Sequence, residues 1–282
     1  MSAGISKDRP LVLVGAGKMG GAMLQGWLVN GLAEGAVHVI DPGLNDNLRA
    51  ELQAQGVVVH DGPDDVPTPG LLMLAIKPQM MDKVLPGLVG FSDRSDASDM
   101  IVLSVAAGIT IATLTRTFGT KALVIRSMPN TPALVGRGVT GLYPSRDMNP
   151  AQKSFIAELL EAIGKVVWVE SEEAIDVVTA VSGSGPAYVF HLVEAMTQAG
   201  MALGLSEDVA TILARETVSG AGELLHQSPD SAETLRINVT SPNGTTAAGL
   251  EVLMASDGLA PVIEKTVRAA HKRAIELGKE SG

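Results

Sequence analysis

Residues 11–23 read LVLVGAGKMGGAM, and this stretch restricts the fold more than any other. Four apolar residues, Leu11–Val14, end in glycines at 15, 17 and 20, while a helical pattern runs from Lys18 to Val29. In a strand–turn–helix setting each glycine has its own duty. Gly15 makes a tight turn, Gly17 lets the backbone approach a pyrophosphate, and Gly20 allows close packing of helix on strand. The helix start then offers free N–H groups and the positive end of its dipole to phosphate oxygens. A turn that needs glycine only for its own geometry is the competing reading. The place of the array, inside the first βαβ unit, favours a dinucleotide site.

The alternation continues downstream. Apolar runs at Val37–Ile40, Leu71–Ile76, Met100–Val105 and Ala122–Ile125 read as buried strands, separated by helical stretches such as Asn45–Gln55. Strands in rotation with helices predict βαβ units and a parallel sheet covered on both faces. Gly138–Leu142 and Val166–Val169 add strand signals, and Asn149 with Pro150 opens a helix that runs to about Ile163. Pro63–Pro69 and Ser92–Asp99 read as surface loops. After Glu170 the strands stop, and helices are expected at Glu172–Val181, Pro186–Leu203, Ser206–Gln227, Thr245–Ala255 and Leu259–Leu277. The chain therefore reads as α/β: an N-terminal Rossmann dinucleotide-binding domain over 1–170, then an all-α domain over 171–282. Many late helices carry Ala, Val, Leu and Met round most of their circumference and need burial on more than one side. Five helices supply too little cover alone, so a second subunit is expected to contribute.

Three further positions lie where the carboxyl edge of such a sheet meets its cofactor. Asp41 ends the second strand, 21 residues past Gly20. An acid there accepts hydrogen bonds from the adenine-ribose 2′-OH and repels a 2′-phosphate. An ordinary Asp-Pro turn before Pro42 is the alternative, so the choice between NADPH and NADH stays open. The strand ends "AIKP" (Ala75–Pro78) and "SVAAG" (Ser104–Gly108) complete the edge. Lys77 there reads equally as a solvent-facing residue, whereas Ala106, Ala107 and Gly108 are small enough for close approach of a flat ring.

Composition removes several function classes. A formal net charge of -10 without a basic stripe argues against a nucleic-acid or anionic-membrane partner. With no cysteine there is no disulfide, thiolate nucleophile or zinc–thiolate site. The five histidines are scattered without ligand spacing, so no metal is expected. Met1–Pro10 carries no signal-peptide pattern, and no apolar run approaches membrane-spanning length, so a cytoplasmic location is expected.

Late in the chain, INVTSPNGTTAAGL (237–250) sets a tight turn, Ser241–Gly244, before two threonines and a helical run. One reading is a capped helix start, with Ser, Thr or Asn satisfying the orphan N–H groups. The other is that those N–H groups stay free for an anion.

"MPNTP" (Met128–Pro132), "SGSGPAY" (Ser182–Tyr188) and "VTSPNGTT", together with the glycine array and "AIKP", occur in one order over nearly the whole chain. In this the sequence resembles the pyrroline-5-carboxylate reductase family. The family's late turn is usually Ser-Pro-Gly-Gly-x-Thr; here Asn243 stands at the first glycine, and asparagine tolerates left-handed backbone angles. The resemblance implies a Rossmann domain followed by an all-helical dimerisation and substrate domain, in a homodimer or a larger homo-oligomer such as a decamer. It implies reduction of 1-pyrroline-5-carboxylate to L-proline by NADPH or NADH. Carried over by position, substrate contacts fall on Glu172, Asn238, Gly244, Thr245 and Thr246, with Thr246 the catalytic position beside the ring nitrogen. Cofactor contacts fall on Val14, Gly15, Ala16, Gly17, Lys18 and Met19, on Ala75, Ile76, Lys77 and Pro78, and on Ala106, Ala107 and Gly108. A surface glutamate at a helix start is the ordinary reading of Glu172. Two rivals stand beside this one. A 3-hydroxy acid dehydrogenase would want a lysine in the second domain, yet the late helices hold only Lys265 and Lys272 before the tail. A nucleotide-sensing binding protein would have no need of the SPNGTT start.

Overall fold

The structure is a computed structural model that describes residues 5–32, 35–94 and 99–280. Residues 1–4 of the N-terminal stretch and 95–98 of the expected Ser92–Asp99 loop lie outside the described residues.

In the first half the chain runs β1 (Leu11–Val14), α1 (Lys18–Val29), β2 (Val37–Ile40), α2 (Asp46–Ala54), β3 (Val58–His60), β4 (Leu71–Leu74), α3 (Met81–Leu88), β5 (Ile101–Ser104), α4 (Ile111–Phe118) and β6 (Leu123–Met128). Then come β7 (Gly138–Pro144), α5 (Pro150–Glu161), β8 (Gly164–Trp168) and α6 (Glu172–Val178), and α6 passes into a π-helical turn at Thr179–Gly183. The eight strands form one sheet in the order β3-β2-β1-β4-β5-β6-β7-β8. Strand alternation sends odd and even positions to opposite faces. Leu11 and Leu13 pack with Met23, Leu24 and Trp27 of α1 on one side. Val12 and Val14 pack with Leu72, Leu74, Leu85 and Phe91 on the other. The buried Trp27 Nε1 donates to the Leu159 carbonyl at 2.8 Å, which fixes α1 against α5.

The sheet departs from the all-parallel expectation at one place: β6 and β7 pair antiparallel, and β8 then follows β7 in parallel. The reason is connection length. Residues 129–137 join the two strands, too few for the helical crossover that a parallel neighbour needs. Instead a 3₁₀ turn at Thr131–Val135 and the left-handed Gly136 (φ 68°) reverse the chain. Pro63–Pro69 is also not wholly a surface loop, because Val66 and Thr68 are buried; Val66 packs with the cluster around Phe91.

The later helices are α7 (Gly185–Ala202), α8 (Glu207–Gln227), α9 (Ala232–Asn238), α10 (Thr245–Leu253) and α11 (Leu259–Glu280). Helix α9, capped by Ser231 on the Thr234 N–H, has no counterpart among the five late helices read from sequence. The chain divides into two compact units, residues 1–183 with 271–282, and residues 184–270. This division falls after the π turn and groups the end of α11 with the sheet, whereas the last strand signal ends near residue 170. Within the second unit α7 and α8 approach closely where Gly200 faces Ala210. Ala210 and Ala214 are its only buried residues, while Phe190, Ile212, Leu224 and Val252 are each more than 60% exposed on the single chain. Helices that apolar cannot cover one another with so little side-chain bulk inside, and the unit lacks a core of its own.

Candidate active site

The glycine array forms the turn from β1 into α1, and each glycine is required for a different reason. Gly15 has φ +89°, and a Cβ there would lie 2.7 Å from Ile76 Cγ2 and 2.9 Å from the Ala75 carbonyl oxygen. A Cβ on Gly20 would run into the Gly15 carbonyl, so Gly20 is what lets α1 sit on the β1 turn. Gly17 meets neither constraint: nothing lies within 4 Å of the position its Cβ would take. It is the N-cap of α1 and no side chain caps that helix. Open space in front of an uncapped helix start fits a pyrophosphate. Val14 and Ala75 are joined across the sheet by Ala75 N–H to the Val14 carbonyl at 2.9 Å, which sets the "AIKP" edge beside the loop. Lys18 and Lys77 are exposed, Ala16, Met19, Ile76 and Pro78 half-buried.

Two expected cofactor positions carry structural duties as well. The Asp41 carboxylate accepts the Ala16 N–H on Oδ2 and the Gly43 N–H on Oδ1, both at 2.9 Å. It clamps the glycine loop to the end of β2, and each oxygen keeps acceptor capacity toward a ribose hydroxyl. Gly108 (φ +76°) is small because Leu277 of α11 lies against it, 3.1–3.2 Å from where a Cβ would be. Ala106 is buried and Ala107 half-exposed.

Asn238, Gly244, Thr245 and Thr246 all lie in the second unit, Asn238 at the end of α9 and the other three at the start of α10. The turn closes through Gly244 N–H to the Ser241 carbonyl at 3.0 Å. Asn243 adopts φ 59°, the only positive φ of a non-glycine among the described residues, a left-handed angle that asparagine tolerates better than most residues. Gly244 is the N-cap of α10, and no side chain accepts from the first N–H groups. Thr245 and Thr246 are exposed. The capped-start reading is therefore not what this helix does.

Glu172 lies instead in the first unit. As the first residue of α6 it turns its Oε1 to the Ile111 N–H at 2.8 Å, in the first turn of α4, and to Arg126 Nη1 at 3.5 Å. Arg126 Nη2 donates to Asp176 Oδ1 at 2.6 Å. The Arg126 side chain is 4% exposed, and its buried Nε has no hydrogen-bond partner. Sequence reading missed Arg126; its signal is a lone charge in the apolar strand "LVIRSM" just before MPNTP. Asn130 of that motif is a clasp: Nδ2 donates to the Ser182 carbonyl at 3.1 Å, and Oδ1 accepts the Val139 N–H at 2.9 Å. It joins MPNTP to the start of SGSGPAY through the π turn.

The comparisons with known proteins agree with this organisation. Residues 172–277 match the family model for pyrroline-5-carboxylate reductase dimerisation, and residues 10–108 match the model for NADP oxidoreductase, coenzyme F420-dependent. The pyrroline-5-carboxylate reductase of Pseudomonas aeruginosa is 36% identical over 272 residues, spanning 96% of this chain and 98% of the relative. That of Synechocystis is 40% identical over 210 residues, 74% of this chain and 76% of the relative. The solved pyrroline-5-carboxylate reductase of Coxiella burnetii superposes with a TM-score of 0.87 at 32% identity, covering 96% of this chain and 98% of that one. On identity, coverage and fold together, the chain belongs to the pyrroline-5-carboxylate reductase family.

Proposed function

We infer that the chain reduces 1-pyrroline-5-carboxylate to L-proline with NADPH or NADH, the last step of proline biosynthesis. Family membership sets aside the hydroxy-acid dehydrogenase and the nucleotide sensor. The observation that carries the site assignment is the α10 start, a helix of nine residues whose N-cap glycine leaves its first N–H groups without a side-chain partner. A bound reduced nicotinamide supplies hydride to carbon 5 of the protonated imine; that protonated ring needs no nucleophile. The protein's task is positioning. The open turn over Gly17 takes the pyrophosphate, while the N–H groups at Thr245 and Thr246 and the Asn238 amide hold the substrate carboxylate. The Thr246 hydroxyl lies against the ring nitrogen. Glu172 acts from α6 by fixing the first turn of α4. Residues 1–170 serve as the cofactor domain and 171–282 as the dimerisation and substrate domain.

The matched dimerisation family and the uncovered apolar helices make the protein a homo-oligomer acting on a small molecule. We read the larger assembly as a decamer built from dimers, which light scattering counts directly. No helix among the described residues is long and apolar enough to cross a membrane. We read the enzyme as cytoplasmic, and the net charge of -10 disfavours nucleic-acid and anionic-membrane partners.

Thr246→Ala tests the assignment. One hydrogen bond to a charged group contributes about 1.5–3 kcal/mol, so kcat/KM for 1-pyrroline-5-carboxylate should fall roughly tenfold or more. Melting temperature and cofactor affinity should hold, because the side chain caps nothing here. A variant that melts early and turns over normally would return this stretch to a structural role.

A further inference from the structure

We propose that Asp41 and an Arg49–Asp61 ion pair set this chain's cofactor preference toward NADH. The inference rests on the reading that a nicotinamide dinucleotide lies over the glycine loop, and it concerns the adenosine end of that site.

Three observations place the residues. Asp41 is fixed relative to the loop, since its carboxylate holds the Ala16 and Gly43 N–H groups and the Gly15 N–H donates to the Ile40 carbonyl at 3.0 Å. Swinging away from a 2′-phosphate would mean giving up both bonds. Next, β2 and β3 pair with Ile40 opposite His60, and the Asp41 N–H donates to the His60 carbonyl at 3.2 Å. Asp41 and Asp61 therefore leave neighbouring strands side by side. Finally, the Arg49 guanidinium on α2 is bound to Asp61 Oδ1 through Nη2.

Charge decides what this corner accepts. Between residues 37 and 65 the chain carries six carboxylates and one Lys or Arg side chain, Arg49. His38 and His60 add no charge near neutral pH, because burial, and for His38 also its neighbour His60, favour the uncharged rings. A 2′-phosphate needs a free cation facing it, and here that cation already has a partner. A ribose 2′-OH needs an acceptor, and Asp41 supplies one. The Asp61 side chain is 77% exposed and that of Arg49 24% exposed. The pair thus adds little to stability, and the fold does not depend on Asp61.

The test is calorimetric binding of NADH and NADPH to wild type, Asp61→Asn, and Asp61→Asn combined with Arg49→Gln. Folding of each is checked by circular dichroism. Wild type should bind NADH about tenfold or more tighter than NADPH, a difference of about 1.4 kcal/mol. Asp61→Asn frees Arg49 and removes one repelling charge, so NADPH should tighten about fivefold or more, with NADH changed less than about twofold. Adding Arg49→Gln should abolish most of that gain. Wild type that favours NADPH, or Asp61→Asn that shifts both cofactors equally or neither, overturns the proposal. Folded wild type that binds neither cofactor overturns instead the dinucleotide reading on which it rests.

Discussion

Arg126 is the most deeply buried charge among the described residues of the sheet-bearing unit, and removing its shorter partner gives a defined expectation. Asp176→Ala deletes the acceptor 2.6 Å from Nη2 and leaves Glu172, 3.5 Å from Nη1, as the remaining counter-charge. Breaking a buried pair by removing one member costs about 3–5 kcal/mol, because the surviving charge stays out of water. With Glu172 still in place, the lower end applies, about 3 kcal/mol. For a unit of this size that corresponds to a fall in Tm of roughly 6–12 °C. Asp176→Asn keeps an acceptor and should lose less. The double variant Arg126→Met, Asp176→Leu removes the charge and its counter-charge together and should recover most of the loss, since well-packed apolar replacements of a buried pair are often neutral or stabilising. Thermal and urea unfolding followed by circular dichroism measure all three. If Asp176→Ala loses less than about 1 kcal/mol, the pair behaves like a surface contact and the burial argument fails. If the double variant is as unstable as Asp176→Ala, the loss comes from packing and not from charge.

The glycine array predicts two opposite phenotypes. Gly20→Ala should lose about 1–3 kcal/mol of stability, because its methyl group meets the Gly15 carbonyl. Gly17→Val, at an open position, should melt like wild type yet fail to bind NADH or NADPH in calorimetric titration; unchanged affinity for both would remove the pyrophosphate assignment. The stacked His38–His60 pair, whose ring nitrogens lie 2.9 Å apart, predicts a pH effect. Both pKa values are lowered from 6.5 by burial, so the folded state binds fewer protons than the unfolded one. The stabilisation is full above pH 6.5 and is lost as pH falls through the folded values. His60→Gln should flatten the decline in Tm below pH 6.5, and an unchanged slope would locate that decline elsewhere.

What could be read from the chain follows from how far each feature's partners lie along it. The first unit of strand, glycine turn and helix was legible because β1, α1 and β2 take their limits from local apolar runs and turn residues. Gly20 answers to the carbonyl of Gly15 in the same turn, whereas Gly15 itself meets Ala75 and Ile76 from the neighbouring strand edge and Gly17 faces open space. Asn243 was legible for the same reason, since tolerance of a left-handed angle belongs to the residue itself. The late helix start was legible as two alternatives, and the cap geometry at Gly244 shows only that no side chain caps it. Features with distant partners were not legible. β3 is three half-exposed residues on the sheet edge, too short to show a period. The direction of β7 depends on a turn between two strands that each look ordinary. Asp41 reads as a ribose ligand from its place after β2, and its bond to Ala16 spans 25 positions. Gly108 reads as room for a ring, but its neighbour is Leu277 of the last helix. Arg126 finds its carboxylates 46 and 50 residues later, and no local pattern announces them. Glu172 shows the limit most plainly. Position within a family nominates it for the substrate, while in the folded chain its carboxylate is committed to Ile111 and Arg126. That carboxylate ties the start of α6 to α4 and to the buried arginine of β6, and the Asp176 series above perturbs the same cluster without touching Glu172 itself.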